Sequence, residues 1–170
     1  PPRSTLFPYT TLFRSTLEWN HLNTLKGLGF PVPTPIAMGR RGKENYLLLE
    51  KLSGVESLHR LCREDVFPRK KESIQNLARL VSALHNRRFF HDDFHAGNIM
   101  VNRQAEVYLV DLYEISSSGS FFPGSVRKKC RKNLAMLGSS FLEHATHLDY
   151  FRFFKRSEEH TSELQSRQSI

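Results

Sequence analysis

The stretch HDDFHAGN at residues 91–98, followed by VYLVD at residues 107–111, decides how this chain folds. It supplies Asp93, an asparagine at position 98 on the far side of a tight loop, and Asp111 at the end of a predicted strand. Phosphoryl transfer from ATP needs such a set, because one carboxylate orients the acceptor hydroxyl while an amide oxygen and a second carboxylate hold metal ions on the phosphates. A single His-x-Asp is explained by ordinary turn chemistry. Three groups in this order and spacing favour a phosphotransfer site.

Hydrophobic spacing predicts the elements around this loop. Residues 71–86 are the clearest predicted helix, because apolar side chains recur there at helical spacing, and this helix leads directly to His91. Residues 99–101 and 107–110 flank a polar turn and predict a β-hairpin. Further helices are predicted over residues 16–28, 56–62 and 127–141, strands over 36–38 and 46–49, and a Ser/Gly/Pro-rich loop over 116–124.

The charge balance is basic, with 25 Lys and Arg against 17 Asp and Glu and a net charge of +8. The excess is concentrated at residues 60–71, 87–88 and 127–132. Basic clusters can bind nucleic acid, anionic membrane surfaces or anionic small substrates. Aromatic residues for base stacking are not interleaved with these clusters, so the sequence argues against a nucleic-acid partner.

The cysteines and the hydropathy indicate one soluble domain. Cys62 and Cys130 stand far apart without a CxxC pair, so neither a zinc site nor a disulfide framework is indicated. Two free thiols fit a reducing cytoplasm. No apolar run reaches membrane-spanning length, so we expect a cytoplasmic protein without a transmembrane segment.

The order of the predicted elements resembles a protein-kinase-like fold from its regulatory helix onward. DFHAGN at 93–98 is similar to the Asp-x-His-x-Gly-Asn loop of aminoglycoside, choline and lipopolysaccharide kinases, and DLY at 111–113 replaces the Asp-Phe-Gly of protein kinases. EWN at 18–20, followed by Leu-x-x-Leu and by PVP at 31–33, most resembles the lipopolysaccharide kinase family, as does the basic helix after Asp111. Members of that family phosphorylate Kdo or heptose sugars of the lipid A–core region. The resemblance implies an α+β fold that combines a remnant of the N-lobe with much of the helical C-lobe.

The resemblance also implies a role for each residue of the motif. Asp93 matches the catalytic base, and Asn98 and Asp111 match the magnesium ligands. His91 matches the histidine that anchors the loop. His95 either contacts the acceptor or the γ-phosphate, or packs within the loop.

Two further parts of the nucleotide site are implied by the same resemblance. Glu50 and Leu52, at the end of YLLLEKL, match the hinge on which adenine sits. Glu18 matches the helix glutamate that pairs with a phosphate-binding lysine. The residues before Glu18 supply neither that lysine nor a Gly-rich loop, so we expect this chain to be inactive alone. The implied cofactors are ATP and Mg²⁺, and the implied partner is a lipopolysaccharide core or lipid A acceptor at the surface of the inner membrane.

The two ends of the chain are interpreted as foreign to the fold. TLFPYTTLFRS at residues 5–15 and RSEEHTSELQS at 156–166 resemble in-frame translations of a common DNA-sequencing adapter. Segments of this kind carry no fold information, and we expect them to lack integrated packing. The predicted organisation is therefore adapter-derived residues at 1–15, an N-lobe remnant with hinge at 16–52, a kinase-like C-lobe at 53–155, and adapter-derived residues at 156–170.

Two other interpretations stay open at this point. An aminoglycoside- or choline-type phosphotransferase would share Asp93, Asn98 and Asp111, but it normally has an acidic acceptor pocket, whereas this chain carries clustered cations. A non-catalytic, kinase-like binding module would not need the three motif residues intact.

Overall fold

A computed structural model of the chain describes residues 8–42, 44–64, 66, 69–117, 123–142 and 153. This described part contains four α-helices, seven short strands and two 3₁₀ turns, at Ala96–Asn98 and Leu112–Glu114. The helices and strands are α1 Pro8–Gly27, β1 Pro35–Arg41, β2 Glu44–Leu49, β3 Val55–Ser57, α2 Leu58–Glu64, α3 Lys70–Asn86, β4 Phe89–His91, β5 Ile99–Asn102, β6 Val107–Leu109, β7 Ile115–Ser117 and α4 Pro123–Leu142.

The strands form three small antiparallel sheets. β1 pairs with β2, β5 pairs with both β3 and β6, and β4 pairs with β7. The predicted hairpin at 99–110 is therefore present. Its turn is closed by Asn102, whose Oδ1 accepts hydrogen bonds from the amides of Gln104 (3.0 Å) and Glu106 (2.9 Å).

The core lies between α3 and the β5–β6 hairpin. One face of α3 is buried, with Leu77 2% exposed and Val81 0% exposed, as its helical spacing predicts. The hairpin contributes Ile99 and Leu109, both 0% exposed, to the same cluster. α3 runs into β4 and then into the loop at residues 91–98, whose Phe94 and Ala96 belong to the same buried cluster.

The first helix differs from the prediction at its start. α1 begins at Pro8 rather than at Thr16, because proline suits the first turn of a helix and no glycine interrupts the residues that follow. The guanidinium of Arg14 lies 4.0 Å from the ring centroid of Tyr113. Arg14 itself is exposed, so this surface contact leaves the expectation that residues up to Ser15 lack integrated packing as a prediction. Residues 1–7 and 156–170 lie outside the described part of the chain.

Three short strands were not predicted. β3 occupies residues 55–57, where a helix was expected from residue 56, and α2 starts only at Leu58. β4 pairs with β7 in the register Phe89 opposite Ser117 and His91 opposite Ile115. β7 therefore takes two residues from the predicted loop at 116–124. Within the described residues, no helix is long and apolar enough to cross a membrane.

Candidate active site

The loop between β4 and β5 is closed by Asn98. Its backbone amide donates to the carbonyl of His95 (3.0 Å), and its side-chain Nδ2 donates to the carbonyl of Asp93 (3.0 Å). Asn98 is 7% exposed, so these bonds hold its side chain in one orientation. Because Nδ2 is used inside the loop, the Oδ1 end of the amide is left for a ligand.

His95 supports the same loop. Its Nδ1 accepts a hydrogen bond from the amide of Gly97 (3.0 Å), and its Nε2 lies 3.5 Å from Oδ2 of Asp93. A side chain at Gly97 would place its Cβ 2.7 Å from Cε1 of His95, so the glycine is what lets the imidazole lie over the backbone. The structure therefore places His95 both within the loop and beside the Asp93 carboxylate.

Asp111 enters the site at the end of β6. The amide of Val110 donates to the carbonyl of Asn98 (3.0 Å), which brings the end of the hairpin next to the loop. Asp111 itself adopts a left-handed backbone conformation (φ 56°, ψ 59°) and its side chain is exposed. A non-glycine residue in this conformation is uncommon and costs free energy, which is a feature of functional positions.

His91 connects the loop to the strand that carries Asp111. It is 1% exposed and stacks on Phe94, with ring centroids 5.7 Å apart and an interplanar angle of 22°. Its Nδ1 accepts from the amide of Asp93 (3.2 Å), which puts the proton on Nε2. Burial lowers the pKa of His91 below its usual value, although the nearby backbone of Val110 and Asp111 opposes the shift. Nε2 is buried against that backbone without a hydrogen bond of good geometry. His91 is therefore a neutral, structural histidine.

Helix α4 packs against the loop at residues 91–98 and bonds to its backbone. Asn133, 2% exposed, accepts a hydrogen bond from the His91 amide at Oδ1 (3.1 Å) and donates from Nδ2 to the His91 carbonyl (2.7 Å). One turn of helix further on lies Leu137, and then Ser140, whose Oγ accepts from the amide of Ala96 (2.9 Å). The loop that contains Asp93 is thus held at both of its ends by one helix.

Glu18 lies on α1 close to Asp111. Burial and then the negative charge of Asp111 raise the pKa of the Glu18 carboxyl, and a hydrogen bond with the backbone of Leu112 opposes the rise. His21, one helical turn later, contacts the Leu112 carbonyl through Nδ1 (2.7 Å). α1 is therefore docked onto the turn that follows Asp111, and Glu18 lies near enough to Asp111 for the charge of that carboxylate to act on it.

The predicted hinge residues follow β2. The Glu50 amide donates to the Thr34 carbonyl (2.9 Å), and the Glu50 carboxylate accepts from the Thr34 hydroxyl and amide. These hydrogen bonds, that of the hydroxyl first, lower the pKa of the Glu50 carboxyl. The Glu50 amide is already engaged, so the groups that can meet an adenine edge are the Glu50 carbonyl and the backbone of Leu52.

The donor set around Asn98 and Asp111 suits a hard cation. No cluster of three or more His, Cys, Asp or Glu side chains able to hold a metal occurs among the described residues. Mg²⁺ does not need one, because it is commonly bound through one or two protein oxygens together with water and phosphate oxygens. The amide oxygen of Asn98 and the carboxylate of Asp111 fit that description.

Solved structures with the same fold define the class of the chain. The crystal structure of monomeric WbdD matches 75% of this chain and 30% of its own chain, with a TM-score of 0.58 and 24% identity. A structure described as the bifunctional kinase-methyltransferase WbdD matches 93% of this chain and 39% of its own, with a TM-score of 0.56 and 20% identity. The predicted protein-kinase-like α+β fold is confirmed.

The family follows from the sequence. Residues 3–156 match the Lipopolysaccharide kinase (Kdo/WaaP) family, and the chain belongs to it. A 3-deoxy-D-manno-octulosonic acid (Kdo) kinase of Xylella fastidiosa (strain 9a5c) is 31% identical over 138 residues, which are 76% of this chain and 51% of the relative. A Kdo kinase of Haemophilus influenzae (strain PittGG) is 28% identical over 144 residues, 76% of this chain and 59% of the relative. The chain thus spans about half the length of these curated relatives.

Sequence reasoning missed Asn133 and Ser140 as supports of the loop. Both were seen only as parts of a basic helical segment. A signal was present, because Asn133 stands four residues before the buried Leu137 and therefore shares its helical face. A polar residue on a buried face needs partners, and here the partners are the backbone groups of His91.

Proposed function

We propose that this site transfers the γ-phosphoryl group of ATP to a sugar hydroxyl of the lipopolysaccharide inner core, Kdo or heptose. The observation that carries the proposal is the hydrogen-bonded unit of Asp93, Asn98 and the end of β6. Membership of the Kdo/WaaP family supports the acceptor class and disfavours the aminoglycoside- or choline-type alternative. We also propose that the chain divides at residue 52 into an N-lobe part with the hinge and a C-lobe part.

The proposed roles follow from where the residues lie. Asp93, whose side chain is 54% exposed, accepts the proton of the acceptor hydroxyl as its oxygen attacks the γ-phosphorus and ADP departs. His95, 3.5 Å from Oδ2 of Asp93, keeps that carboxylate oriented. Asn98 Oδ1 and the Asp111 carboxylate hold Mg²⁺, which when bound offsets the charge on the β- and γ-phosphates.

Two other residues complete the proposed nucleotide site. The Glu50 carbonyl and the Leu52 backbone contact the adenine edge. Glu18 forms an ion pair with a phosphate-binding lysine. The negative charge of Asp111 acts on the Glu18 carboxylate, and a cation bound near both groups reduces their repulsion. The acceptor is proposed to be presented at a membrane surface, where the chain would act as a peripheral protein.

The metal assignment is tested by replacing Mg²⁺ with paramagnetic Mn²⁺ in the presence of ATP. We expect selective broadening of the amide resonances of Gly97, Asn98 and Asp111 in the 170-residue chain, with Gly54 as an internal control. Asn98→Ala and Asp111→Asn should each remove the broadening while leaving the rest of the spectrum in place. Uniform broadening, or broadening that survives both substitutions, would reject the metal site.

A further inference from the structure

The amino-terminal half of α4 carries a concentrated positive charge. Residues 127–132 read RKKCRK, with five cations in six positions. Among the described residues, the carboxylate of Asp92 is the one acidic group within ion-pair distance of this segment. The half-buried cation is Lys129, and the exposed ones are Arg127, Lys128, Arg131 and Lys132. Such a cluster creates a strong positive potential on one surface.

Two of these lysines lie next to the catalytic loop. Nζ of Lys132 is 3.1 Å from Oδ1 of Asp92, the residue that immediately precedes Asp93. This limits the distance from the ammonium to the Cα of Asp93 to about 11 Å, since consecutive Cα atoms are 3.8 Å apart. Nζ of Lys129 lies 5.3 Å from the ring centroid of Phe90, two residues before Asp92. The positive surface therefore begins no more than about 11 Å from Cα of Asp93, the proposed base, which is a distance that one or two sugar rings can span.

The ion pair with Lys132 stabilises the ionised form of Asp92. Burial alone would raise the pKa of the Asp92 carboxyl, but hydrogen bonds from Lys132 and Ser116 and the charges of Lys132 and Lys129 hold it below its usual value. One carboxylate cannot neutralise the cluster. An ammonium has three donors, so Lys132 can keep Asp92 and still bind a second anion.

The cluster is also held in place. Asn133, the next residue after Lys132, is locked to the backbone of His91 by two hydrogen bonds, and Ser140 holds Ala96. α4 and the loop therefore move as one unit. A cation on a helix that is bonded to the loop loses less conformational freedom on binding a ligand than one on a mobile segment. The cations of α4 are therefore suited to positioning a substrate relative to Asp93.

We propose that Lys129 and Lys132 form a subsite for an anionic group, a carboxylate or a phosphate, on the acceptor saccharide. The inference rests on the proposed function, because it places the acceptor hydroxyl at Asp93 and the anionic substituent of the same molecule at α4. The occupant is an acidic sugar rather than the membrane lipid around it, since Lys132 is ion-paired to Asp92 of the loop and Lys129 lies over Phe90, the residue before His91.

The experiment measures binding of the 170-residue chain to vesicles by flotation. One set of neutral phosphatidylcholine vesicles carries lipopolysaccharide containing 3-deoxy-D-manno-octulosonic acid, and another carries phosphatidylglycerol at the same surface charge. We expect clearly tighter binding to the lipopolysaccharide vesicles. The double change Lys129→Ala with Lys132→Ala should weaken that binding roughly tenfold, as expected for losing hydrogen bonds to a charged group. The matched control is Arg41→Ala with Arg103→Ala, which also removes two exposed cations, one at the β1–β2 turn and one at the β5–β6 turn.

A second variant keeps the test sensitive if the double lysine change alters folding. Asp92→Asn removes the internal competitor of Lys132 and should tighten binding to the lipopolysaccharide vesicles without removing a cation. Equal affinity for the two kinds of vesicle, or binding unaffected by the lysine changes, overturns the subsite. Lysine-dependent binding in a chain that shows no Mn²⁺ broadening at Asn98 and Asp111 supports the subsite and rejects the phosphotransfer function, so the two failures are distinguishable.

Discussion

At the catalytic loop, a single side chain satisfies both backbone groups of a buried residue. Asn133 bonds the amide and the carbonyl of His91, and its Oδ1 also lies 3.4 Å from Nε2 of His85. His91 is 1% exposed, so water cannot take over these bonds without opening the core. The side-chain amide of Asn133 is therefore one of the two groups, with the Ser140 hydroxyl, by which α4 positions the loop that carries Asp93.

Replacing Asn133 should destabilise the fold. Asn133→Ala leaves a buried N–H and a buried C=O without partners, at about 1–3 kcal/mol each, so we expect a loss of about 2–6 kcal/mol in the free energy of unfolding. Urea denaturation measures the loss, and hydrogen exchange at the His91 amide should accelerate with it. Lys128→Ala, an exposed change on the same helix, should stay within about 0.5 kcal/mol. A loss no larger than that of the control would mean that the clamp contributes nothing.

His85 should make the stability depend on pH. Burial lowers the pKa of His85 to about 4, against a small opposing effect of its contact with Asn133, and the ring stacks on Phe90 at 5.7 Å. The unfolded chain takes up the proton near the usual value of 6.5, so stability is intact above that pH and falls as the pH drops from 6.5 toward 4. The full loss is about 3 kcal/mol.

The pH effect is measured by comparing unfolding curves of the parent and of His85→Leu between pH 7.5 and pH 4.5. Because the pKa of His91 is also lowered, the variant should keep a shallower dependence rather than none. Parallel curves for the two proteins would show that His85 is not the titrating group.

At the scale of elements, the long periodic segments and the hairpin were predictable, whereas the three-residue strands β3, β4 and β7 were not. The spacing of α3 and the turn chemistry of the β5–β6 hairpin are local signals, and both elements form close to where they were expected. β4 and β7 are three residues each, and the paired residues Phe90 and Ser116 stand 26 positions apart in the sequence. A pattern of period two cannot be recognised in three residues, so only the tertiary pairing defines these strands.

The residues of the candidate site also fall into two groups, those that a local sequence pattern indicates and those that only the tertiary structure reveals. Asp93, Asn98 and Asp111 could be proposed from the sequence because phosphoryl transfer would fix their types and their spacing along the chain. Asn133 acts across 42 positions, and nothing local marks its partner.

The packing of α3 beneath the hairpin gives the prediction at this scale. Leu77 is 2% exposed within the main cluster, so Leu77→Ala should lower the free energy of unfolding by about 2–5 kcal/mol through lost burial and the cavity left behind. Lys71→Ala, exposed on the same helix, is the control and should change little. A cost below about 1 kcal/mol for Leu77→Ala would show that α3 is not the centre of the core.

At the scale of the whole molecule, the β1–β2 sheet is the least covered part of the described structure. It has two strands and exposes large apolar side chains, among them Ile36 (57%) and Leu48 (56%). A two-stranded antiparallel sheet is marginally stable alone and offers open edges for further strands. This sheet lies beside α1, which carries Glu18, so additional strands placed there would also deliver groups to the Glu18–Asp111 pair.

The last prediction concerns turnover. The residues before Glu18 contain no glycine and no lysine, so the chain has no Gly-rich loop or lysine there to position the β- and γ-phosphates. Positioning and charge stabilisation are most of what a protein contributes to phosphoryl transfer. We expect the 170-residue chain to show no turnover above background with ATP, Mg²⁺ and a Kdo-containing lipid A acceptor.

A chimera provides the comparison. Fusing the residues that precede the matched region in the Xylella fastidiosa relative ahead of Thr16 should produce transfer of labelled phosphate to the acceptor. In that chimera, Asp93→Ala should lower kcat by roughly 10²–10⁴-fold, the range for loss of a general base, and Asp111→Ala should do so by removing a metal ligand. Arg103→Ala should leave kcat unchanged, because its side chain is exposed at the hairpin turn. Equal rates for the chain and the chimera would contradict the missing-loop argument, whereas activity that survives both alanine changes would contradict the assignment of Asp93 and Asp111.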